Sequence, residues 1–189
     1  MLISIAGSQG SGKSTVRKEL ERRGFNIVER KTARSILDEW DVTLDTVNQD
    51  PDLKIAFQEE LVTRKLADEV EYAYADELFF TERTFADLFT YALIAFGQYN
   101  RYDSWIDTYY KACKDGCNNY AHVFYLQSCF SHNIEDDGVR SINQHYSRMV
   151  DVIMLDVTKA MVGTDKLGII DVEALDMRVN HIINIVTEN

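Results

Sequence analysis

Five short apolar runs divide the chain, and a stretch with helical spacing follows each of them. Leu2–Ala6 and His122–Leu126 are apolar almost throughout, which suits strands buried on both faces. Phe25–Glu29, Leu78–Thr81 and Leu167–Ile170 read as three further strands. The first intervening helix runs from Lys13 to Arg23, where Gly24 stops it. Lys31–Trp40 is a second helix, and Asp41–Asp50 is a polar connection. Pro51 suits the first turn of a long helix to Tyr74, with Leu53, Phe57, Leu61 and Leu66 on its apolar face. Helices follow over Thr84–Gln98 and Ser104–Cys117. Ser128–Arg140 is polar and without period, hence a loop. Ser141–Met161 is a helix with apolar positions near Met149, Val152, Ile153 and Val157, and Val172–Val186 is another.

Strands alternating with helices predict an α/β fold: a three-layer α/β/α sandwich around a parallel sheet. Strand, helix and second strand within the first 30 residues imply a right-handed crossover. In such a sheet the active site lies at the carboxyl ends of the strands. The 189 residues suit one domain with a sizeable core.

The first strand runs into Gly7-Ser8-Gln9-Gly10-Ser11-Gly12-Lys13-Ser14, and a helix opens there. Glycine, four residues, then Gly-Lys-Ser between a strand and a helix is the context of a phosphate-binding P-loop. The glycines let several backbone N–H groups face one anion, and the helix N-terminus adds partial positive charge. Gly7 to Thr15 therefore form the expected triphosphate site. Lys13 reaches the β- and γ-phosphates, Ser14 places its hydroxyl on Mg²⁺, and Thr15 meets the α-phosphate.

Two further strands end in an acid followed by an arginine. Glu29-Arg30 closes the second, with Arg34 nearby, and Glu82-Arg83 closes the third. A carboxylate at this edge can bind Mg²⁺ through water or orient an attacking hydroxyl, and an arginine can neutralise phosphate charge. The plainer alternative is a set of solvated strand ends, each acid paired with its arginine. Asp136-Asp137-Gly138-Val139-Arg140 is either an acidic turn or a lid carrying Arg140 over the phosphates. Arg148 is a weaker candidate of the same kind. Among the aromatic residues from Phe79 to Tyr110, some can stack on an acceptor base, while their helical spacing assigns most to the core.

Charge and cysteines narrow the classes. The formal net charge of −11 disfavours general nucleic-acid binding, though not a small basic pocket. Three cysteines without framework spacing read as reduced thiols, and Cys113 with Cys117 is at most half of a metal site. No membrane span is visible, so a cytoplasmic protein is expected.

These stretches together resemble the small P-loop kinases that act on nucleosides and nucleotides. The similarity is greatest to the AAA-like kinases related to ribosylnicotinamide kinase domains and bacteriophage nucleotide kinases. Val28-Glu29-Arg30 with Ala33-Arg34, Thr81-Glu82-Arg83-Thr84 and Asp137-Gly138-Val139-Arg140 carry the resemblance beside the P-loop. It implies a five-stranded parallel sheet of order 2-3-1-4-5. Acceptor-binding helices span about residues 31–75, and a short lid spans about 128–140. It also implies ATP and Mg²⁺ as donor and metal, and a small nucleoside or nucleotide acceptor held by a monomer or homodimer. Lys13, Glu29, Glu82, Arg83 and Arg140 become the catalytic set, Ser14 and Glu82 the metal ligands, and Glu29, Arg34 and Arg83 the acceptor site. Glu82 stands where such kinases usually have aspartate, and the lid is short of arginines. A kinase acting on a hydroxymethylated base in DNA is the alternative within the class. An ATPase or NTP-binding switch without an acceptor is the alternative outside it. A base-recognition motif of the Asn-Lys-x-Asp type is absent from the sequence, which argues against a GTPase.

Overall fold

A computed structural model describes residues 1–29, 33–128 and 143–187. It contains five strands, β1 (Leu2–Ala6), β2 (Asn26–Ile27), β3 (Phe79–Glu82), β4 (His122–Leu126) and β5 (Leu167–Ile170). All pair in parallel in the order β2-β3-β1-β4-β5. The expected sheet is the observed one. β1 lies at its centre, with Ser4 opposite both Thr81 of β3 and Val123 of β4.

Eight α-helices lie among the described residues: α1 (Lys13–Arg22), α2 (Ala33–Trp40), α3 (Leu44–Gln49), α4 (Pro51–Ala73), α5 (Phe85–Phe96), α6 (Asp103–Cys117), α7 (Gln144–Val162) and α8 (Leu175–Thr187). The alternation of side chains along the strands sorts the core into two layers. Ile3 and Ile5 of β1, with Phe80, Phe124, Leu126 and Ile170, face Val16 and Leu20 of α1 and Val179 and Ile182 of α8. Leu2, Ala6, Val123 and Tyr125 face the other way, onto α5, α6 and α7. A third cluster joins Ile36 and Leu37 of α2, Val47 of α3 and Phe57 of α4.

Four local expectations need correction. β2 is only Asn26–Ile27, although Val28 still donates its N–H to Phe80 O. The polar connection at 41–50 contains a helix, α3. Thr43 caps it by accepting from Thr46 N, and Val47 anchors it in the third cluster. Leu66 does not share the inward face of α4. It is 44% exposed, while Phe57, Gln58, Lys65 and Glu69 are buried.

The fourth correction concerns α7, whose buried stripe is rotated from the expected one. Met149 and Val152 are exposed, and Ser147, Val150, Asp151, Met154, Thr158 and Met161 point inward. Hydrophobicity alone misorients this helix because polar, hydrogen-bonded residues share its inward stripe.

Polar groups are also buried on α4. Lys65 Nζ donates to Glu69 Oε1 at 2.5 Å, as does Thr81 Oγ1, and Tyr120 OH donates to Glu69 Oε2 at 3.0 Å. This charge pair braces β3 directly before Glu82. The expected core role of the aromatic stretch holds for Phe85, Phe89 and Phe96, whereas Tyr99 is 46% exposed.

Candidate active site

The glycine-rich loop joins β1 to α1 and curls through three glycines with positive φ: Gly7, Gly10 and Gly12. Two of these positions admit no side chain comfortably. A Cβ on Gly7 would lie 2.6 Å from Leu126 O and 2.8 Å from Ser11 Oγ. Gly12, at φ +89°, is the N-cap of α1. Lys13 is 6% exposed and turns back over the loop, donating to Gly7 O at 2.7 Å, Ser8 O at 2.6 Å and Ser11 Oγ at 3.3 Å. An anion brought to the loop competes with these acceptors for the ammonium. Ser14 and Thr15 stand exposed at the helix start.

β3 delivers the second half of the site. Ser14 Oγ donates to Glu82 Oε2 at 3.0 Å, so the glycine-rich loop and the end of β3 meet there. The arginine that ion-pairs with Glu82 is not its neighbour in the chain. Glu82 Oε1 accepts from Arg17 Nε at 2.8 Å. Ser14 Oγ and Glu82 Oε2 form a pair of hard oxygen donors of the kind Mg²⁺ prefers. Among the described residues no group of three or more His, Cys, Asp and Glu side chains is placed to hold a metal ion.

Arg83 sits at the turn from β3 into α5 with φ +64°, a left-handed conformation costly for a residue with a Cβ. Its backbone is pinned on both sides: its N–H donates to Ile5 O at 2.8 Å, and its carbonyl accepts from Ser4 Oγ at 2.8 Å. Burial works against the charge of its guanidinium. Tyr91, Asp87 and Glu82 outweigh that burial and hold its pKa above the ordinary arginine value. The strained turn therefore presents a permanent cation at the carboxyl edge of the sheet.

Glu29 lies exposed just beyond β2, and Arg34 lies exposed in the first turn of α2. Neither takes part in the Ser14–Glu82 contact. Arg140 and the loop from Asp136, together with Arg30 and Cys129, lie outside the described residues. Cys113 and Cys117 are buried thiols. Burial pushes Cys117 up to about 12 and Cys113 higher still, so neither is a ready nucleophile or ligand.

Sequence reasoning missed four buried polar residues, three of them touching the loop. Arg178 of α8 is 7% exposed and donates to Ser11 O at 2.6 Å and Val172 O at 2.5 Å. A lone arginine beside Val179 on the inward face of α8 is the signal that could have found it. Asp87 is fully buried. Thr84 Oγ1 donates to its Oδ1 at 2.7 Å, while Asp87 Oδ2 has no hydrogen-bond partner among the described residues. The Thr84-x-x-Asp87 spacing of a helix cap marks it in the sequence. Ser147 and Asp151 of α7 reach Gln9 and Ser8. Only their polarity on a buried stripe distinguishes them.

An AAA-domain family model matches residues 2–162, from β1 to the end of α7. This chain belongs to that AAA-domain family. The loop, Glu82, Arg83 and the α7 contacts all fall within the match, whereas Arg178 falls beyond it. No curated protein matches the chain in sequence. Among solved structures, a deoxyadenosine kinase from M. mycoides with bound dATP is similar with a TM-score of 0.74 at 16% identity, over 99% of this chain and 100% of that one. The NadR protein in complex with NR has a TM-score of 0.74 at 17% identity, over 99% of this chain and 50% of that one. A thymidylate kinase from Candida albicans has a TM-score of 0.66 at 16% identity, over 100% of this chain and 91% of that one. At these identities the likeness is one of fold: this AAA-family chain has the α/β fold of the P-loop kinases. No helix among the described residues is long and apolar enough to cross a membrane.

Proposed function

We propose that this chain is a phosphotransferase that moves the γ-phosphoryl group of ATP, with Mg²⁺, to a (deoxy)nucleoside or its monophosphate. The observation that carries the reading is the Ser14–Glu82 contact beside the strained Arg83. It joins a triphosphate loop to a carboxylate and a fixed cation at one sheet edge. A switch protein needs the loop but has no use for a second cationic station held at such conformational cost. The similar deoxyadenosine kinase with dATP and the NadR protein with NR support the same class.

In this account the backbone N–H groups of Gly7 to Thr15 and the Lys13 ammonium hold the donor phosphates. Ser14 and Glu82 would hold Mg²⁺, which would supply neutralisation of phosphate charge when bound. The acceptor oxygen forms a bond to the γ-phosphorus as the bond to the ADP oxygen breaks, and positioning with charge neutralisation supplies most of the catalysis. Arg83 and Arg34 orient the acceptor. A monophosphate acceptor is already anionic, whereas a hydroxyl acceptor passes its proton to a carboxylate, for which Glu29 or Glu82 is available. Helices α2 to α4 form the acceptor side, and Arg140, outside the described residues, is a further candidate cation for the phosphates. The net charge of −11 favours a small acceptor over DNA.

The test is transfer of label from γ-labelled ATP with Mg²⁺ to nucleosides, nucleoside monophosphates and hydroxymethylated DNA, offered in turn. Labelling of a nucleoside or monophosphate is expected. ATP hydrolysis with no acceptor labelled contradicts the kinase reading, and labelling of DNA alone transfers the activity to a modified base.

A further inference from the structure

The donor loop is held from outside as well as by its own glycines. Ser8 and Gln9 are the first two residues after Gly7, and their side chains are buried. Ser8 Oγ donates to Asp151 Oδ1 at 2.7 Å, and Gln9 Nε2 donates to Ser147 Oγ at 3.0 Å. Ser147 and Asp151 are four residues apart on α7, so both project from one face of that helix. They are 1% and 5% exposed. A second donor fixes the carboxylate: Tyr125 OH, near the end of β4, lies 3.0 Å from Asp151 Oδ1 and 3.0 Å from the Asp151 carbonyl oxygen.

We propose that Asp151, seconded by Ser147, is a positioning residue for the donor loop, setting from α7 the conformation in which the loop receives a triphosphate. This rests on the reading of the loop as a triphosphate site.

A buried carboxylate is costly unless its oxygens accept hydrogen bonds, so α7 carries Asp151 where an apolar side chain would pack without penalty. The hydroxyls meeting that need come from Ser8 and Tyr125. Burial, and then Asp151 itself, push the Tyr125 phenol well above its ordinary pKa, so it stays protonated and donates to the carboxylate. Asp151 is thus held from the sheet, and Ser8 takes its position from Asp151. Gly7, just before Ser8, packs against Leu126 O. With Gly7 confined and Ser8 tethered, this end of the loop is restrained from both sides. The hydroxyl of Ser8 is directed to α7, and this leaves the loop backbone to face the phosphates.

A purely structural Asp151 would lower stability and leave nucleotide affinity unchanged in the folded protein. The test is a double-mutant cycle on Ser8→Ala and Asp151→Ala, reading the Kd of AMP-PNP with Mg²⁺ by calorimetry and requiring neither acceptor nor turnover. Each single variant is expected to weaken binding about ten-fold, the scale of one lost buried hydrogen bond. The double variant is expected to be no weaker than the worse single, because both remove the same contact. Asp151→Asn keeps an accepting oxygen and is expected to restore most of the affinity. If Asp151→Ala fails to fold, Ser8→Ala and Asp151→Asn carry the test. Additive losses in the cycle overturn the inference, and so does unchanged affinity in folded Ser8→Ala protein. If the unsubstituted protein binds AMP-PNP but the cycle is additive, this inference alone fails. If it binds none, the triphosphate reading fails too.

Discussion

Ser14 and Glu82, 68 positions apart in the chain, meet through one hydrogen bond of 3.0 Å from Ser14 Oγ to Glu82 Oε2. The contact ties the first turn of α1 to the end of β3. Glu82→Gln keeps the size of the side chain and removes the charge that Mg²⁺ would use. Its kcat is expected to fall about a hundred- to a thousand-fold, the scale of a lost electrostatic contribution at a reacting centre. Ser14→Ala is expected to raise the Mg²⁺ concentration needed for half-maximal rate. Steady-state rates across a Mg²⁺ titration check both, and an unchanged Mg²⁺ dependence in both variants contradicts the assignment.

Arg178 of α8 supports the loop at Ser11, as Asp151 of α7 does at Ser8. Arg178→Met removes the donors to Ser11 O and Val172 O, leaving these carbonyls short of partners. A loss of about 1–3 kcal/mol is expected in urea unfolding. Gly12→Ala forces a side chain into φ +89° and sets its Cβ 3.0 Å from Arg178 Nη1. Its cost is about 1–2 kcal/mol from the backbone alone. The two substitutions together are expected to cost less than their sum, because Arg178→Met removes the atom that the new Cβ meets. Full additivity in paired urea curves contradicts that geometry.

The sheet and the glycine-rich loop were legible in the sequence because each depends on local pattern. β1, β4 and β5 are short apolar runs that break off at polar or glycine-rich stretches, and Gly-x4-Gly-Lys-Ser has one structural context. The face of α7 was not legible. Met149 and Val152 satisfy a hydrophobic count yet lie outside, because Ser147 and Asp151 find partners on a loop far earlier in the chain. α3 was hidden for a related reason. Leu44–Gln49 is short and polar, and it is held by the Thr43 cap and one buried side chain, Val47. The ion pair of Glu82 was not legible either, since the plainer reading paired it with Arg83, its neighbour in the chain. Adjacent residues on a strand point to opposite faces, so the arginine that reaches it is Arg17 from α1.

The Lys65–Glu69 pair is sealed, with side-chain exposures of 1% and 0%. Lys65→Met leaves Glu69 with Thr81 and Tyr120 as donors but without the Lys65 counter-charge. Removing one partner of a buried pair costs about 3–5 kcal/mol. Chemical denaturation is expected to show a loss of that size. A loss under about 1 kcal/mol, the scale of an exposed ion pair, contradicts the burial.

The thiols give a pH-dependent prediction. Burial raises Cys113 and Cys117 above the ordinary thiol range, with Cys117 at about 12. Both are therefore protonated in the folded protein at about pH 8, below the ordinary thiol value, and iodoacetamide is expected to leave them unmodified. In urea their pKa returns to about 8.5 and they react. Because the folded pKa is raised, their contribution to stability is complete below the unfolded value. It declines as pH rises from there toward the folded value. Peptide mass spectrometry after alkylation in native buffer checks the assignment, and label on Cys113 or Cys117 without urea contradicts it.

The central claim is that the loop around Lys13 is the donor half of a phosphoryl-transfer site. The most direct measurement compares γ-phosphoryl transfer by the unsubstituted protein and by Lys13→Ala, using the acceptor found to be labelled. Loss of transfer in a variant that still unfolds at the same urea midpoint is the predicted result. Transfer that survives at a comparable rate removes the loop from the mechanism.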